Sequence, residues 1–398
     1  MNDPVKAPHK PAGRRARLTV FLTILLDLVG FGMILPLLPF YAQTFQATPV
    51  QIGLLFSSYS LTQLVFAPLL GRLSDRVGRR PILLASITGS VAAYLLFAAA
   101  PNFAVLLAAR SLAGVAAANY GIAQAYMADV SLPEERSKAM GLVGAAFGLG
   151  FVLGPALGGI LAQAGDRAVP LTAAVLSGAN LLVAFFGLPE SLSPEVRGRV
   201  RGSWFDLSDL LVVLRDSPLR GLMLLFFLVM FCFSMMEATL ALFCQQRFHY
   251  GVRQTSWLFV FVGVILVVVQ GGLLGRLVKR YGERSLILSG IVLMAAGLVL
   301  LPSSQLWLLL VSLGLLAVGQ GVHNPSSLGL LSRLTDESSQ GSTIGLSRSF
   351  GAVARILGPS AGTLLFVAGA AWPFWAASGL MVVALFIALG VLRQVTIV

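Results

Sequence analysis

The sequence predicts an all-α integral membrane protein with twelve transmembrane helices in two pseudo-symmetric six-helix bundles. The evidence is its composition, its long apolar runs and an internal repeat. Of the 398 residues, 57% are hydrophobic and 11% are charged, whereas soluble proteins are about 25% charged. Each span needs about 20 apolar residues, so twelve spans take roughly 240 residues. Too little chain remains for a catalytic domain of normal size, so we expect no enzyme activity.

Apolar runs between charged or turn-rich breaks define the helices. In the first half they cover 18–42, 50–71, 81–100, 103–128, 139–163 and 170–189. In the second half they cover 219–245, 254–278, 285–302, 305–331, 342–368 and 372–392. The predicted organisation is a tail (1–17), a first bundle (18–189), a linker (190–218), a second bundle (219–392) and a tail (393–398). The N-terminal tail lacks the cleavage site of a signal peptide.

The net charge of +12 is unevenly distributed between the two sides of the membrane. One set of loops holds Arg72, Arg76, Arg79, Arg80, Arg136, Lys138, Arg276, Lys279, Arg280, Arg284 and Arg333. The opposite loops hold Arg167, Arg247 and Arg253. Cytoplasmic loops of membrane proteins are rich in Lys and Arg, so we expect both termini and the linker in the cytoplasm. The excess charge therefore indicates a lipid bilayer and no nucleic-acid partner.

The linker is compatible with two structures. Its apolar residues Trp204, Leu207, Leu211 and Leu214 follow helical spacing. Such a segment either lies flat on the membrane surface or forms a short solvated helix.

The two halves are related by a repeat with an offset of 204 residues. This offset places the tripeptide 71–73 on 275–277, and Gly154-Pro155 on Gly358-Pro359. Repeated parallel halves are typical of secondary transporters, which bind substrate near the membrane midplane and expose it to each side in turn. The sequence contains no phosphate-binding loop or metal-ligand motif, so we expect no cofactor.

Several motifs resemble those of one transporter family. The segment 71–80, with Gly71, Asp75, Arg76, Gly78, Arg79 and Arg80, resembles the cytoplasmic loop signature of the major facilitator superfamily. The spacing of Gly141, Gly150, Gly154, Pro155, Gly158 and Gly159 resembles the fifth-helix signature of its antiporters. Asp27 in the first helix, and Arg110 with Gly114 in the fourth, resemble motifs of the twelve-helix drug:proton antiporters. The chain is also similar to the tetracycline-efflux type, but Ala93 precedes Tyr94 where that type has an acid.

The resemblance implies proton-coupled multidrug efflux, and hence antibiotic resistance, in a bacterial inner membrane. The proton is then the coupling ion. We assign proton coupling to Asp27, Glu237 and Arg110, because ionisable residues inside spans are costly and usually functional. Structural pairing is the alternative for both acids. Glu237 could also attract a cationic substrate.

Polar residues within the spans are the candidates for the substrate cavity. We select Gln124, Gln320, His323, Asn324 and Arg355. His323 is expected either to carry protons or to have a hydrogen-bonded packing role. In the fourth helix, Arg110 and Gln124 share a face, while Asn119 lies opposite them and is expected to join helices.

The two glycine-rich motifs each allow two interpretations. Asp75 among its arginines predicts a latch that holds the outward-facing state, or simply charge that sets topology. The fifth-helix motif predicts a hinge-like interface between halves, or ordinary close packing of membrane helices.

The predicted function is a monomeric antiporter that exports an amphipathic, drug-like small molecule in exchange for a proton. One alternative keeps the fold but transports a sugar, siderophore, lipid or other anionic metabolite, in either direction. A different class of protein, a membrane receptor that transports nothing, is the other alternative.

Overall fold

The computed structural model describes residues 14–132, 135–192, 217–335 and 340–394. Within them, eleven helical segments are long and apolar enough to cross a membrane. The segment Val252–Leu300 has 49 residues and changes direction at Gly282, where φ is 73°. It therefore forms two spans, and the described residues contain the twelve predicted helices of a multi-pass membrane protein.

The first half comprises α1 (Arg14–Gln43), α2 (Pro49–Val77), α3 (Arg79–Ala98), α4 (Phe103–Asp129), α5 (Arg136–Leu161) and α6 (Ala168–Gly187). The second half comprises α7 (Ser217–Phe248), α8 (252–281), α9 (283–300), α10 (Leu306–Arg333), α11 (Gln340–Ala368) and α12 (Trp372–Gln394). Each helix overlaps its predicted range. The possible surface helix at 204–214 lies outside the described residues.

Side-chain caps begin two of the helices. The Thr48 hydroxyl accepts a hydrogen bond from the Gln51 amide at 3.3 Å, and the Gln51 side chain accepts one from the Thr48 amide at 2.8 Å. Asn102 caps α4 by accepting from the Val105 amide at 3.0 Å. These bonds satisfy backbone donors that the first turn of a helix leaves unpaired, which allows short loops between spans.

The sequence repeat is also present in the structure. Gly78 separates α2 from α3 with φ of 122°, and Gly282 separates α8 from α9 with φ of 73°. Gly154 packs against α1, and the matching Gly358 packs against α7. Equivalent glycines therefore have equivalent structural roles in the two bundles.

The bundles contact each other at one side of the membrane. We call the side with Arg14 and the segment 71–80 the termini side, and the opposite side the far side. Toward the far side, the Ser57 hydroxyl of α2 donates to the Ile356 carbonyl of α11 at 2.5 Å and lies 2.9 Å from the Ser360 hydroxyl. The side-chain amides of Gln43 and Gln245 form reciprocal bonds of 2.8 Å.

The bundles are apart on the termini side. On the termini-side stretches of the helices that face the other bundle, seven of the described glycines have open space where a Cβ would lie. Such an atom would meet nothing within 4 Å at Gly71, Gly141, Gly144, Gly271, Gly272, Gly275 and Gly345. One exposed hydrogen bond of 2.7 Å, from Arg348 to Gln124, spans the gap. The described residues therefore form a transporter-like fold that is closed on the far side and open on the termini side.

Candidate functional site

The carboxylate of Asp27 lies near the middle of α1, in the first bundle. Its Oδ2 accepts a hydrogen bond of 3.0 Å from the side-chain amide of Asn119. Among the described residues, no cation lies within 4 Å of it. Asn119 ends a short 3₁₀ turn, Ala117–Asn119, that interrupts α4. The prediction that Asn119 joins helices is correct, but its contact with Asp27 was not predicted.

Arg110 packs against a tyrosine and does not pair with Asp27. Its guanidinium carbon lies 4.6 Å from the centre of the Tyr59 ring, a cation–π contact. The side chain is buried, its Nε has no hydrogen-bond partner, and no acid among the described residues lies within 4 Å. Tyr59 was not predicted, because nothing in the sequence distinguishes one tyrosine in an apolar helix.

A second charged pair comes from the other bundle. Glu237 of α7 and Arg355 of α11 interact electrostatically, although they lie more than 4 Å apart. Arg355 also interacts with Tyr59. Tyr59 therefore lies within the field of guanidinium groups from both halves, which places these residues where the bundles face each other.

A row of aromatic rings extends from this charged region. The ring centroids of Tyr59 and Phe31 are 5.2 Å apart, and those of Phe31 and Phe151 are 6.3 Å apart. Phe151 stacks on Phe147 at 5.3 Å, and Phe147 meets Tyr120 at 5.9 Å. All five rings are partly exposed, and they come from α1, α2, α4 and α5. They form an apolar surface beside the charges, suited to a ring-containing molecule.

The predicted cavity residues of α10 lie beside α7. Gln320, His323 and Asn324 line a narrow cleft against α7 that is too tight to hold a water molecule. His323 lies 3.4 Å from the Ile287 carbonyl and 3.3 Å from the Ser327 hydroxyl, and its side chain is buried. This geometry fits the packing role of His323. Gln124 lies at the termini-side opening, where it bonds to Arg348.

The bonds of Arg79, in the motif at 71–80, lie within the first half of the chain. Arg79 pairs with Asp75 at 2.7 Å and with Asp129 at 3.2 Å. Its backbone amide donates to Glu190 at 2.9 Å. None of these partners of Arg79 belongs to the second bundle, and the latch that is expected to hold the outward-facing state stays a prediction.

The remaining residues of the motif have three different environments. Arg80 donates to the Phe185 carbonyl at 2.7 Å. The Glu190 carboxylate fills the space where a side chain at Gly78 would lie. Arg76 lines an open surface groove. The ion pair of Arg79 and the hydrogen bond of Arg80 thus connect the start of α3 to the ends of α4 and α6.

The second bundle has the same ion pair with reversed charges. The offset of 204 places Asp75 on Lys279, Arg79 on Glu283 and Asp129 on Arg333. Glu283 and Arg333 pair at 3.4 Å, as Arg79 and Asp129 do at 3.2 Å. Each bundle thus joins its third and fourth helices by an ion pair, and the pairing works in either polarity.

Charge reversal tests this arrangement. Arg79→Glu alone places a third carboxylate beside Asp75 and Asp129, and we expect it to lower stability by about 1 kcal/mol per lost pair. The triple variant Asp75→Lys, Arg79→Glu, Asp129→Arg recreates the charges of the second bundle and should recover that loss. The measurement is the melting temperature of the purified protein in detergent. A triple variant as unstable as the single one would contradict the interpretation.

The fifth-helix motif packs mainly inside its own bundle. A Cβ at Gly150 would lie 2.5 Å from Leu28, and one at Gly158 would lie 2.7 Å from the Met33 carbonyl, both on α1. Gly154 and Pro155 lie against Gly32 of α1. Gly159 differs, because it faces Ser256 of α8, whereas Gly141 faces open space. This geometry fits the second interpretation, close packing of membrane helices, for Gly150, Gly154 and Gly158, whereas Gly159 lies against the other half.

Comparison with known proteins identifies the family. The family model "Major Facilitator Superfamily" matches residues 20–274 and 271–396. The chain belongs to the major facilitator superfamily. The superfamily consists of transporters for small molecules, in agreement with the fold and the predicted resemblance.

Relatives within the superfamily have different described functions. The class C tetracycline resistance protein of Escherichia coli is 33% identical over 359 residues, covering 89% of this chain and 90% of that protein. The predicted similarity to tetracycline-efflux proteins is thus confirmed. The crystal structure of the human organic anion transporter MFSD10 (TETRAN) is 30% identical, with a TM-score of 0.73, and the match covers 95% of this chain and 100% of that one. The nucleoside transporter NupG, at 14% identity and a TM-score of 0.79 over 95% and 99% of the two chains, supports the fold alone.

Proposed function

We propose that this protein is a proton-coupled antiporter that exports amphipathic, drug-like compounds by alternating access. It acts as a monomer in a bacterial inner membrane, its termini side faces the cytoplasm, and the proton is its coupling ion, with no other cofactor. The observation that carries the proposal is Asp27, a carboxylate with no ion-pair partner among the described residues, in the middle of a fold that is open on one side only.

The position of Asp27 suits a coupling role for a physical reason. A charge inside a membrane protein is costly, and protonation of a carboxylate removes it. A bound proton changes the balance between two conformations only if its affinity differs between them. The packing supports such a difference, because α1 packs against α5, and α5 contacts the other bundle through Gly159, so a movement of the bundles would change the surroundings of Asp27. A membrane potential of 100 mV supplies about 2.3 kcal/mol per proton.

The aromatic row and the charges support an amphipathic cargo. The rings from Tyr59 to Tyr120 offer an apolar surface, and Glu237 with Arg355 adds polar partners from the opposite bundle. A cargo that touches both surfaces would compete with protons for the acids, which produces exchange. Glu237 is the second candidate for proton binding.

The test is substrate-triggered proton release in proteoliposomes. The purified protein is reconstituted with a pH-sensitive dye, and a panel of cationic, zwitterionic and anionic amphiphiles is added. We expect at least one compound to trigger proton movement in the wild type and none in Asp27→Asn. Asp166→Asn, a change of the same type in an exposed loop, is the matched control and should behave as the wild type does. Transport of a compound without any proton movement would contradict the proposal.

Organic anion transport is a second candidate function. Arg110 and Arg355 have no carboxylate within 4 Å among the described residues, and the human relative MFSD10 is described as an organic anion transporter. This alternative predicts that, of the compounds in the same panel, only the anionic ones cross the membrane. Their transport would be driven by the membrane potential and would release no protons.

A further inference from the structure

The environment of Asp27 contains a residue whose position depends on a break in a neighbouring helix. α4 is helical over Phe103–Ala116, forms a 3₁₀ turn over Ala117–Asn119, and is helical again over Tyr120–Asp129. The Asn119 side chain is buried, and its amide donates to Asp27 at 3.0 Å. In a straight helix this side chain would point in another direction, because a 3₁₀ turn has about 3.0 residues per turn and an α-helix about 3.6.

A side chain of α2 supports the break. A 3₁₀ turn interrupts the normal backbone bonding of an α-helix, so its carbonyl groups need other partners. Gln63 donates its side-chain amide to the Ala117 carbonyl at 3.1 Å. A few residues earlier, Thr62 donates to the Ser111 carbonyl at 2.9 Å. Two adjacent residues of α2 thus hold α4 just before the 3₁₀ turn and at the first residue of the turn.

The other groups around Asp27 are few. Tyr59 of α2 and Tyr94 of α3 interact electrostatically with it, and Arg110 of α4 acts on both tyrosines. The stretches 139–161 of α5 and 168–187 of α6 carry no ionisable side chain. In the other bundle, α7 carries Glu237, and α8 carries no charged residue between Arg253 and Arg276. Among the described residues, the Asp27 carboxylate therefore receives its side-chain hydrogen bond from Asn119.

We propose that Asn119 is a positioning residue for proton coupling, which orients Asp27 and stabilises its ionised form, and that Gln63 holds Asn119 in place. The inference rests on the proposed function only in taking Asp27 as the proton carrier. An N–H group donates to a carboxylate more strongly than to a neutral acid. Loss of the donor should therefore let Asp27 bind its proton at higher pH.

Infrared spectroscopy measures the pH at which Asp27 binds its proton, and it does not require a transport assay. The carbonyl stretching band of a protonated carboxyl group that disappears in Asp27→Asn belongs to Asp27, and its intensity is followed against pH. We expect Asn119→Ala to move the midpoint up by about one pH unit, a tenfold change in proton affinity that corresponds to about 1.4 kcal/mol. Gln63→Leu should move it in the same direction by a smaller amount.

A matched asparagine provides the control. Asn180 is also buried and also binds α1, but it donates to the Thr23 backbone carbonyl at 3.2 Å and does not contact Asp27. Asn180→Ala should lower stability and leave the midpoint unchanged. If Asn119→Ala does not fold, Asn119→Ser, whose shorter side chain cannot span the same distance, should show the shift instead.

The outcomes separate the two proposals. An unchanged midpoint in the folded Asn119 variants, or an equal shift in Asn180→Ala, would overturn the role of Asn119. Proton release that persists in Asp27→Asn vesicles would overturn the proposed function. The infrared midpoint reports on protonation of the Asp27 carboxyl group and does not require transport. The role of Asn119 can therefore fail while the proposed function stands, and the reverse.

Discussion

A disulfide between α2 and α11 is expected to stop transport completely and reversibly. The hydroxyls of Ser57 and Ser360 are 2.9 Å apart at the closed far side, a separation that suits a pair of cysteines. Alternating access requires this contact to open once in each cycle. In Ser57→Cys/Ser360→Cys, oxidation should abolish transport in proteoliposomes, and a reducing agent should restore it.

The background for this experiment removes the two natural cysteines. Cys232 and Cys244 are buried and free, so Cys232→Ala and Cys244→Ala are introduced first. Ser57→Cys alone, treated with the same oxidant, is the control and should continue to transport. If transport continues while thiol titration shows that the disulfide has formed, the far-side contact does not open during the cycle, and alternating access at this position is refuted.

Gly154→Ala is expected to destabilise the first bundle and to reduce transport severely. A Cβ at Gly154 would lie 2.7 Å from the Gly32 Cα and 2.8 Å from the Val29 carbonyl. Both contacts are with backbone, so α1 and α5 must separate. Overpacking of this kind costs about 1–3 kcal/mol. It would also displace α1, which carries Asp27. The melting temperature in detergent and the initial transport rate measure the two effects.

Gly144→Ala is the matched control in the same helix. A Cβ there meets nothing within 4 Å, and alanine favours a helix over glycine by up to about 1 kcal/mol. The control should therefore be as stable as the wild type or slightly more stable, with normal transport. Equal losses in the two variants would show that helix flexibility, and not the close contact with α1, explains the glycine.

The sequence predicted the location and number of the spans because hydropathy acts locally. Each span needs a long apolar run regardless of its neighbours, so all twelve ranges could be identified before any distance was known. The repeat was equally clear from the sequence, in which Gly78 and Gly282 are 204 residues apart. In the structure both glycines have positive φ. Such a position restricts the residue type directly.

The partners of the site residues were harder to predict. Asp27, Glu237, Arg110 and Arg355 were recognised because charges are rare in spans. Asn119 was correctly expected to join helices, but its partner Asp27 was not predicted, since the hydrophobic pattern shows neither the 3₁₀ turn nor the distance between α1 and α4. Of the two interpretations of the fifth-helix motif, close packing of membrane helices fits Gly150, Gly154 and Gly158, which pack on α1. Partners of this kind depend on helix phase and orientation, which local composition does not specify.

The sequence by itself determined the membrane fold, its two repeated halves and the set of buried charges. These features follow from local composition and from the cost of placing charge in hydrocarbon. Only the tertiary structure decided that Asn119 binds Asp27, that Arg79 pairs within its own bundle, and that the halves meet on the far side. Such pairings depend on distances of a few ångströms between helices far apart in sequence, and local composition does not specify those distances.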